Sequence, residues 1–192
     1  SSSSTSASSP FVPLATRAHS RSGALQNRTE ALIVSHCVHG LVLAGLEPLR
    51  VGVLSPYRSQ LEVLGRMLQC YRPQLAVQTI DKAQGSDKDC IILSLVRSNT
   101  DEQVGRLLND WHRLNVAFTR AKCKLLVVGS RSTLQKADFL GRFLALVEQD
   151  GWVYKLPPGA HTVHKHRFDE GGGSSCEGQG HRPHPSASAS GS

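Results

Sequence analysis

Two short runs, Cys90-Ile-Ile-Leu-Ser-Leu95 and Lys124-Leu-Leu-Val-Val-Gly129, are apolar almost without a break. A strand with one face in water alternates polar and apolar residues, so unbroken runs of this length read as strands covered on both faces. Val51-Gly-Val-Leu-Ser55, ending at Pro56, and Leu75-Ala-Val-Gln-Thr79 read as two more short strands. Helical periodicity separates them. One helix is expected to start at Asn27 or Thr29 and run to a C-terminal cap at Gly45, with Leu32, Val34, Val38, Leu41 and Val42 apolar. Another is expected from Ser59 to Cys70, with Leu61, Leu64 and Leu68 on one face. Phe139 to Val147 is amphipathic, and Trp152-Val-Tyr-Lys-Leu156 reads as a short last strand or an extended arm. Covered strands alternating with helices imply an α/β fold, a parallel sheet with helices on both faces. Ligands of such sheets gather at the carboxyl ends of the strands, where Ser55 to Arg58, Asp81 to Asp87 and Arg97 to Asn99 are expected.

The ends differ in kind. Residues 1–24 are Ser-rich and residues 161–192 are rich in His, Gly and Ser, so neither buries enough apolar surface to offset its ordering entropy. Both are expected to be disordered, with the folded domain at 25–160. The formal charge of +7 favours an anionic partner, nucleic acid being the usual one. No apolar run spans a bilayer, and no basic segment followed by an apolar one opens the chain, so neither a membrane segment nor a secretory signal is expected. The five cysteines are scattered without a C-x-x-C pair, and three lie in apolar patterns as small core residues. No metal site is expected, because His161-x-x-His164-x-His166 has no cysteine or carboxylate to complete it. Asn27-Arg-Thr29 matches a glycosylation sequon but reads more simply as a helix start.

Arg113-Leu-Asn-Val-Ala-Phe-Thr-Arg-Ala-Lys122 is the stretch most suggestive of chemistry. Leu114, Phe118 and Ala121 form one helical stripe, and Arg113, Ala117 and Arg120 a second. Both guanidiniums are therefore expected on one helix face, roughly 10 Å apart at about 1.5 Å per residue. A rigid, forked cation suits a phosphate, although arginine on a helix is also an ordinary solvated residue. Thr79-Ile-Asp-Lys-Ala-Gln-Gly-Ser-Asp87 is the second constellation. Gln84-Gly85 makes a turn, Thr79 offers a hydroxyl, Lys82 a cation, and Asp81 and Asp87 acceptors.

Three elements in order, Val53-x-Ser-Pro-Tyr-Arg-x-Gln60, Thr79-x-Asp-x-x-Gln-Gly-x-Asp87-x-Asp89 and Arg113 to Ala121, resemble motifs IV, V and VI of superfamily 1 helicases. The likeness covers about Asn27 to Leu156 and implies the second RecA-like motor domain. Within that superfamily the chain most resembles the DNA replication ATP-dependent helicase/nuclease family of Okazaki-flap processing. Asp81-Lys82, Asp87-Lys88, Val96-Arg-Ser-Asn99, Val104-Gly105, Leu107-Leu-x-Asp-Trp111 and Leu156-Pro157 carry that likeness. His112 stands where the family commonly has a second arginine, and Ala83 where an aromatic is frequent. Helicases of the nonsense-mediated-decay type share Pro56-Tyr57, Gln84-Gly85 and Arg113 to Ala121, so an RNA helicase of the same superfamily stays an alternative.

The resemblance implies that Arg120 is an arginine finger and that Arg113 supports it. It places Asp87 near the nucleotide sugar, and Gln84 and Gly85 between the nucleotide cleft and the strand. Arg58 would serve the nucleotide or the nucleic acid. Thr79, Lys82, Ser55, Pro56 and Tyr57 would touch a nucleic-acid strand. It implies a 5′–3′ motor on single-stranded DNA flaps in replication and repair, acting with replication and repair proteins in the nucleus or also the mitochondrion. ATP and Mg²⁺ would be shared with an N-terminal motor domain, and a nuclease domain would hold an iron–sulfur cluster. The chain carries no ligand set for that cluster. Gly40-Leu-Val-Leu-Ala-Gly45 is followed by Leu46-Glu47 rather than Lys and a hydroxyl, so it is not a P-loop. No Asp-Glu pair follows an apolar strand. The chain by itself is therefore expected to be inactive as an ATPase, one wall of a cleft, or else a non-catalytic nucleic-acid-binding module.

Overall fold

The structure, a computed structural model, describes residues 25–96, 108 and 110–162. The terminal tails, Arg97 to Asn99, Asp101-Glu102, Val104-Gly105, Cys176 and the His164 and His166 pair lie outside the described residues. Helix α1 spans Arg28–Leu43. Asn27, not Thr29, caps it, its side chain accepting from the Glu30 N–H at 3.0 Å. The helix closes at Gly45, whose φ of +93° a residue with a side chain rarely adopts. There the Gly45 N–H reaches the Val42 carbonyl and the Leu46 N–H reaches that of Leu41.

Strand β1 (Val51–Ser55) leads through Pro56-Tyr57 into α2 (Arg58–Met67), which ends three residues before Cys70 and continues as a 3₁₀ turn, Gln69–Tyr71. Strands β2 (Ala76–Thr79) and β3 (Lys88–Ser94) are joined by a 3₁₀ turn at Asp81–Ala83. Helix α3 (Trp111–Phe118), strand β4 (Ala121–Val128), and helices α4 (Arg131–Leu134) and α5 (Asp138–Gln149) follow. The four strands are all parallel, in the order β2-β1-β3-β4.

Period-two alternation in the central strands serves two cores. Val51, Val53, Cys90 and Ile92 face α1 and α2, where Ala31, Val34, Val38, Leu64 and Leu68 are fully buried. Leu54, Ile91, Leu93 and Leu95 face the other way, onto Leu114 and Ala117 of α3 and Leu140 of α5. The expected three-layer α/β arrangement is thus present.

Local boundaries depart from expectation where side chains intervene. The helix expected across Arg113 to Lys122 stops at Phe118. The Thr119 hydroxyl donates to the Asn115 and Val116 carbonyls at 2.9 and 3.1 Å, and Ala121 is already paired with Lys88 in the sheet. Arg120 therefore sits in the turn between α3 and β4, not on the helix. β4 begins three residues earlier than Lys124, and as an edge strand leaves Lys122, Cys123 and Lys124 exposed. Cys90 is a core residue as expected, whereas Cys123 faces solvent. Trp152 to Leu156 is the extended arm rather than a strand. Gly151, with φ of +72°, ends α5, and Trp152 and Tyr154 are 70% and 90% exposed. The chain then returns to α1 in a short 3₁₀ turn, where His36 Nε2 lies 3.2 Å from the His161 carbonyl. Among the described residues no helix is long and apolar enough to cross a membrane, and no cluster of metal-ligating side chains forms.

Candidate nucleotide edge and nucleic-acid edge

A parallel sheet has two chemically distinct edges, and the candidate residues divide between them. Ser55, Thr79 and Ser94 end three neighbouring strands. Asp87 and Arg120 directly precede Lys88 and Ala121, partners at the start of β3 and β4. The Lys88 N–H bonds the Arg120 carbonyl at 3.0 Å, which pins that corner. The two arginines are accordingly not parallel forks on one helix face. Arg113, in the first turn of α3, has Nε at 3.2 Å from Asp81 and 3.5 Å from Asp110. Arg120, beyond the other end of the helix, lies 2.7 Å from Asp87 through one terminal nitrogen.

Arg120 is held at three points. Besides Asp87, its Nε donates to the Val116 carbonyl at 3.2 Å and its second terminal nitrogen to Thr119 Oγ1 at 3.3 Å. The side chain remains 21% exposed. Three contacts on a planar fork fix its plane, so little rotamer entropy remains to be lost when it meets an anion. Asp87 is the acceptor that orients this cation, a role that spacing did not reveal.

The Ser55-Pro-Tyr turn presents fewer groups than its sequence suggests. Ser55 is fully buried, and its Oγ accepts the Tyr57 N–H at 3.3 Å. Tyr57 is buried too, while Arg58 is exposed and Pro56 half-buried. The Ser55 hydroxyl and Tyr57 ring therefore shape the turn, and its outward groups are Pro56 and Arg58. Thr79, at the end of β2, is half-buried and accepts the Lys82 N–H at 3.4 Å, leaving the Lys82 side chain exposed. Asp81 to Asp87 runs from this edge to the opposite one, anchored by Ile80 and Ala83 in the core. Within it Gln84 (φ −58°, ψ 124°) and Gly85 (φ +78°) form a type II turn closed by the Ser86 N–H on the Ala83 carbonyl. That turn needs a positive φ at its third position, which is why glycine stands there. Gln84 and Gly85 are both exposed.

Sequence reading missed a buried polar chain behind the carboxyl edge. Glu30, in the first turn of α1, is 4% exposed and accepts from Ser94 Oγ at 2.7 Å and from the Val96 N–H at 2.8 Å. Gln60, fully buried in α2, donates through Nε2 to Ser94 Oγ and to the Asn27 carbonyl, both at 3.1 Å. Its Oε1 accepts the Asn27 N–H at 2.8 Å. The signal available was Gln60 inside its motif, an amide at a position where the α2 pattern calls for core.

Burial pushes the Glu30 carboxyl up to about 7, and the hydrogen bonds from Ser94, Val96 and Leu95 only partly oppose it. A carboxyl raised in the folded state holds its proton more tightly there than in the unfolded chain. Its contribution to stability is full below about pH 4.5 and is lost as pH rises through about 7. Glu30→Gln removes this titration. The melting temperature of the variant, measured on the 192-residue chain, should therefore gain on the parent between pH 5 and 8, by an amount equivalent to on the order of 3 kcal/mol. A constant difference across that range would show that Glu30 titrates normally.

A family model described as "AAA domain" matches residues 4–132, about two thirds of the chain. The chain is 41% identical over 132 residues to the DNA replication ATP-dependent helicase/nuclease dna2 of Schizosaccharomyces pombe, covering 69% of this chain and 9% of that protein. The corresponding protein of Gallus gallus is 46% identical over 124 residues, 64% of this chain and 12% of its own length. The Homo sapiens protein is 39% identical over 139 residues, 72% and 13%. The chain thus spans about a tenth of the length of these relatives. With its parallel α/β sheet and the ordered motifs on its two edges, the chain belongs to the family of DNA2-type superfamily 1 helicases, of which it is a C-terminal RecA-like motor domain.

Proposed function

We propose that this domain is the second half of an ATP-driven DNA motor, a 5′–3′ helicase/nuclease that works on single-stranded flaps in replication and repair in the nucleus. The observation that carries the reading is the separation of the two edges. At the amino edge, Arg120 is a cation of fixed plane, with Asp87 beside it, suited to the charge that develops on a transferring phosphoryl group. At the carboxyl edge, Pro56, Arg58, Thr79 and Lys82 offer a cationic, hydrogen-bonding surface suited to a phosphate backbone. The Ile80–Asp87 crossover joins them as one short, core-anchored segment, so a shift at one edge is felt at the other. Arg113, tied to Asp81, braces that crossover against α3.

In this reading ATP and Mg²⁺ bind mainly on a phosphate-binding motor domain elsewhere in the protein, and Arg120 completes the cleft. The nucleotide supplies the phosphoryl group; this chain's residues orient charge towards it and hold the strand. The test is ATP turnover of the full-length protein with DNA and RNA strands of equal sequence. Stimulation by DNA and not RNA is expected. Stimulation by RNA alone would transfer the domain to the RNA-helicase reading, and strand binding without any turnover would leave a non-catalytic module.

A further inference from the structure

We propose that Glu30 is a positioning residue for the nucleic-acid edge: with Gln60 it locks the exit of β3 to the turn after β1, so that the two segments hold a strand as one unit. The inference rests on the reading of the carboxyl edge given above.

Three elements meet in one hydrogen-bonded chain. Glu30 belongs to the first turn of α1, Gln60 to the first turn of α2, and Ser94 to the end of β3. The Ser94 hydroxyl accepts from Gln60 and donates to Glu30, so it passes the connection from α2 to α1. Gln60 takes both backbone groups of Asn27, the residue whose side chain caps α1. Moving α2 without moving the β3 exit would break at least one of these bonds inside the protein, where an unpaired polar group is costly.

Val96 shows what the carboxylate accomplishes. It is fully buried and has φ of +67°, the one positive φ among the described non-glycine residues. A β-branched residue there is strained and persists only where its surroundings impose it. The Val96 N–H is directed at Glu30, two residues past the last paired residue of β3. The turn that carries Pro56 and Arg58 enters α2 only two residues before Gln60. The polar chain thus ties the outward groups of that turn to the backbone leaving the neighbouring strand. An apolar residue at position 30 would leave the Val96 N–H and the Ser94 hydroxyl without this acceptor inside the protein, so the acid fixes the direction of both groups.

The variants are Glu30→Ala, which removes the acceptor, and Glu30→Gln, whose amide oxygen accepts both donors. Each is made in the full-length protein, with the folded fraction checked by circular dichroism. The readouts are the single-stranded DNA concentration giving half-maximal ATP turnover and the turnover at saturating strand. For Glu30→Ala the half-saturating concentration should rise about 10-fold, with saturated turnover within about two-fold, and Glu30→Gln should restore the parent value. Loss of saturated turnover with unchanged half-saturation would mean a structural role only and would overturn the proposal, as would equal defects in both variants. If Glu30→Ala does not fold, Ser94→Ala removes both bonds of that hydroxyl while the Val96 N–H keeps its acceptor, and should raise half-saturation about three-fold; no rise overturns the proposal. A parent protein whose turnover ignores DNA would instead sink the motor reading itself.

Discussion

Arg120→Ala in the full-length protein should lower ATP turnover by about 10³-fold while leaving nucleotide affinity within a few-fold. The asymmetry follows from where the charge is needed. On the proposed reading, ground-state ATP is held mainly by a phosphate-binding loop on the other motor domain, and the guanidinium would act on charge that grows only as the phosphoryl group transfers. Its plane is set by Asp87, the Val116 carbonyl and Thr119, so the charge waits in place rather than being recruited. Arg120→Lys should recover little, because an ammonium cannot span an acidic tether and a phosphoryl oxygen with one rigid fork. Asp87→Asn keeps the shape and weakens the tether, and a drop nearer 10-fold is expected. Steady-state turnover combined with a nucleotide-binding titration separates the effects. Unchanged turnover for Arg120→Ala would remove the arginine-finger role.

For stability the largest effect should come from the centre of the sheet. Ile92 is fully buried in β3, pairs with Val53 of β1 and Leu126 of β4, and packs into the cluster under α1 and α2. Ile92→Ala deletes buried carbons from a site walled by two strands and two helices, which cannot collapse to fill the space. A loss of about 4 kcal/mol is expected, equivalent to a fall of roughly 10–20 °C in melting temperature for a domain of this size. Ile92→Val, which removes one methylene, should cost about 1 kcal/mol. Thermal or urea melts of the 192-residue chain check both. An alanine variant within about 1 kcal/mol of the parent would contradict the packing described for this face.

The origins of these two effects were not equally legible. The strands of the core announce themselves, because a stretch such as Cys90 to Leu95 must be covered on both faces wherever it folds. The caps at Asn27 and Gly45 and the turn at Gln84-Gly85 are local as well, each set by side-chain reach or by a positive φ that glycine tolerates. The arginine segment misled in one respect. Its apolar stripe continues to Ala121, but the strand partner Lys88 claims that residue and Thr119 ends the helix, so Arg120 turns towards Asp87 instead of lying over Arg113. Period alone cannot weigh a helical turn against a pairing with a strand more than thirty residues away.

The buried acid makes the same point from the other side. Glu30, Gln60 and Ser94 are separated by about thirty residues at each step, and each looks ordinary in its own segment. Composition, periodicity and local turn chemistry suffice for the α/β class, the approximate places of β1 to β4 and the kind of residue at each candidate position, since these depend on neighbours within a few residues. The division of the candidate residues between the two ends of the strands, the pairing of Arg120 with Asp87, and the meeting of Glu30 with Val96 depend on contacts between distant segments. Those contacts exist only once the parallel sheet has set its register, because that register decides which strand end faces which.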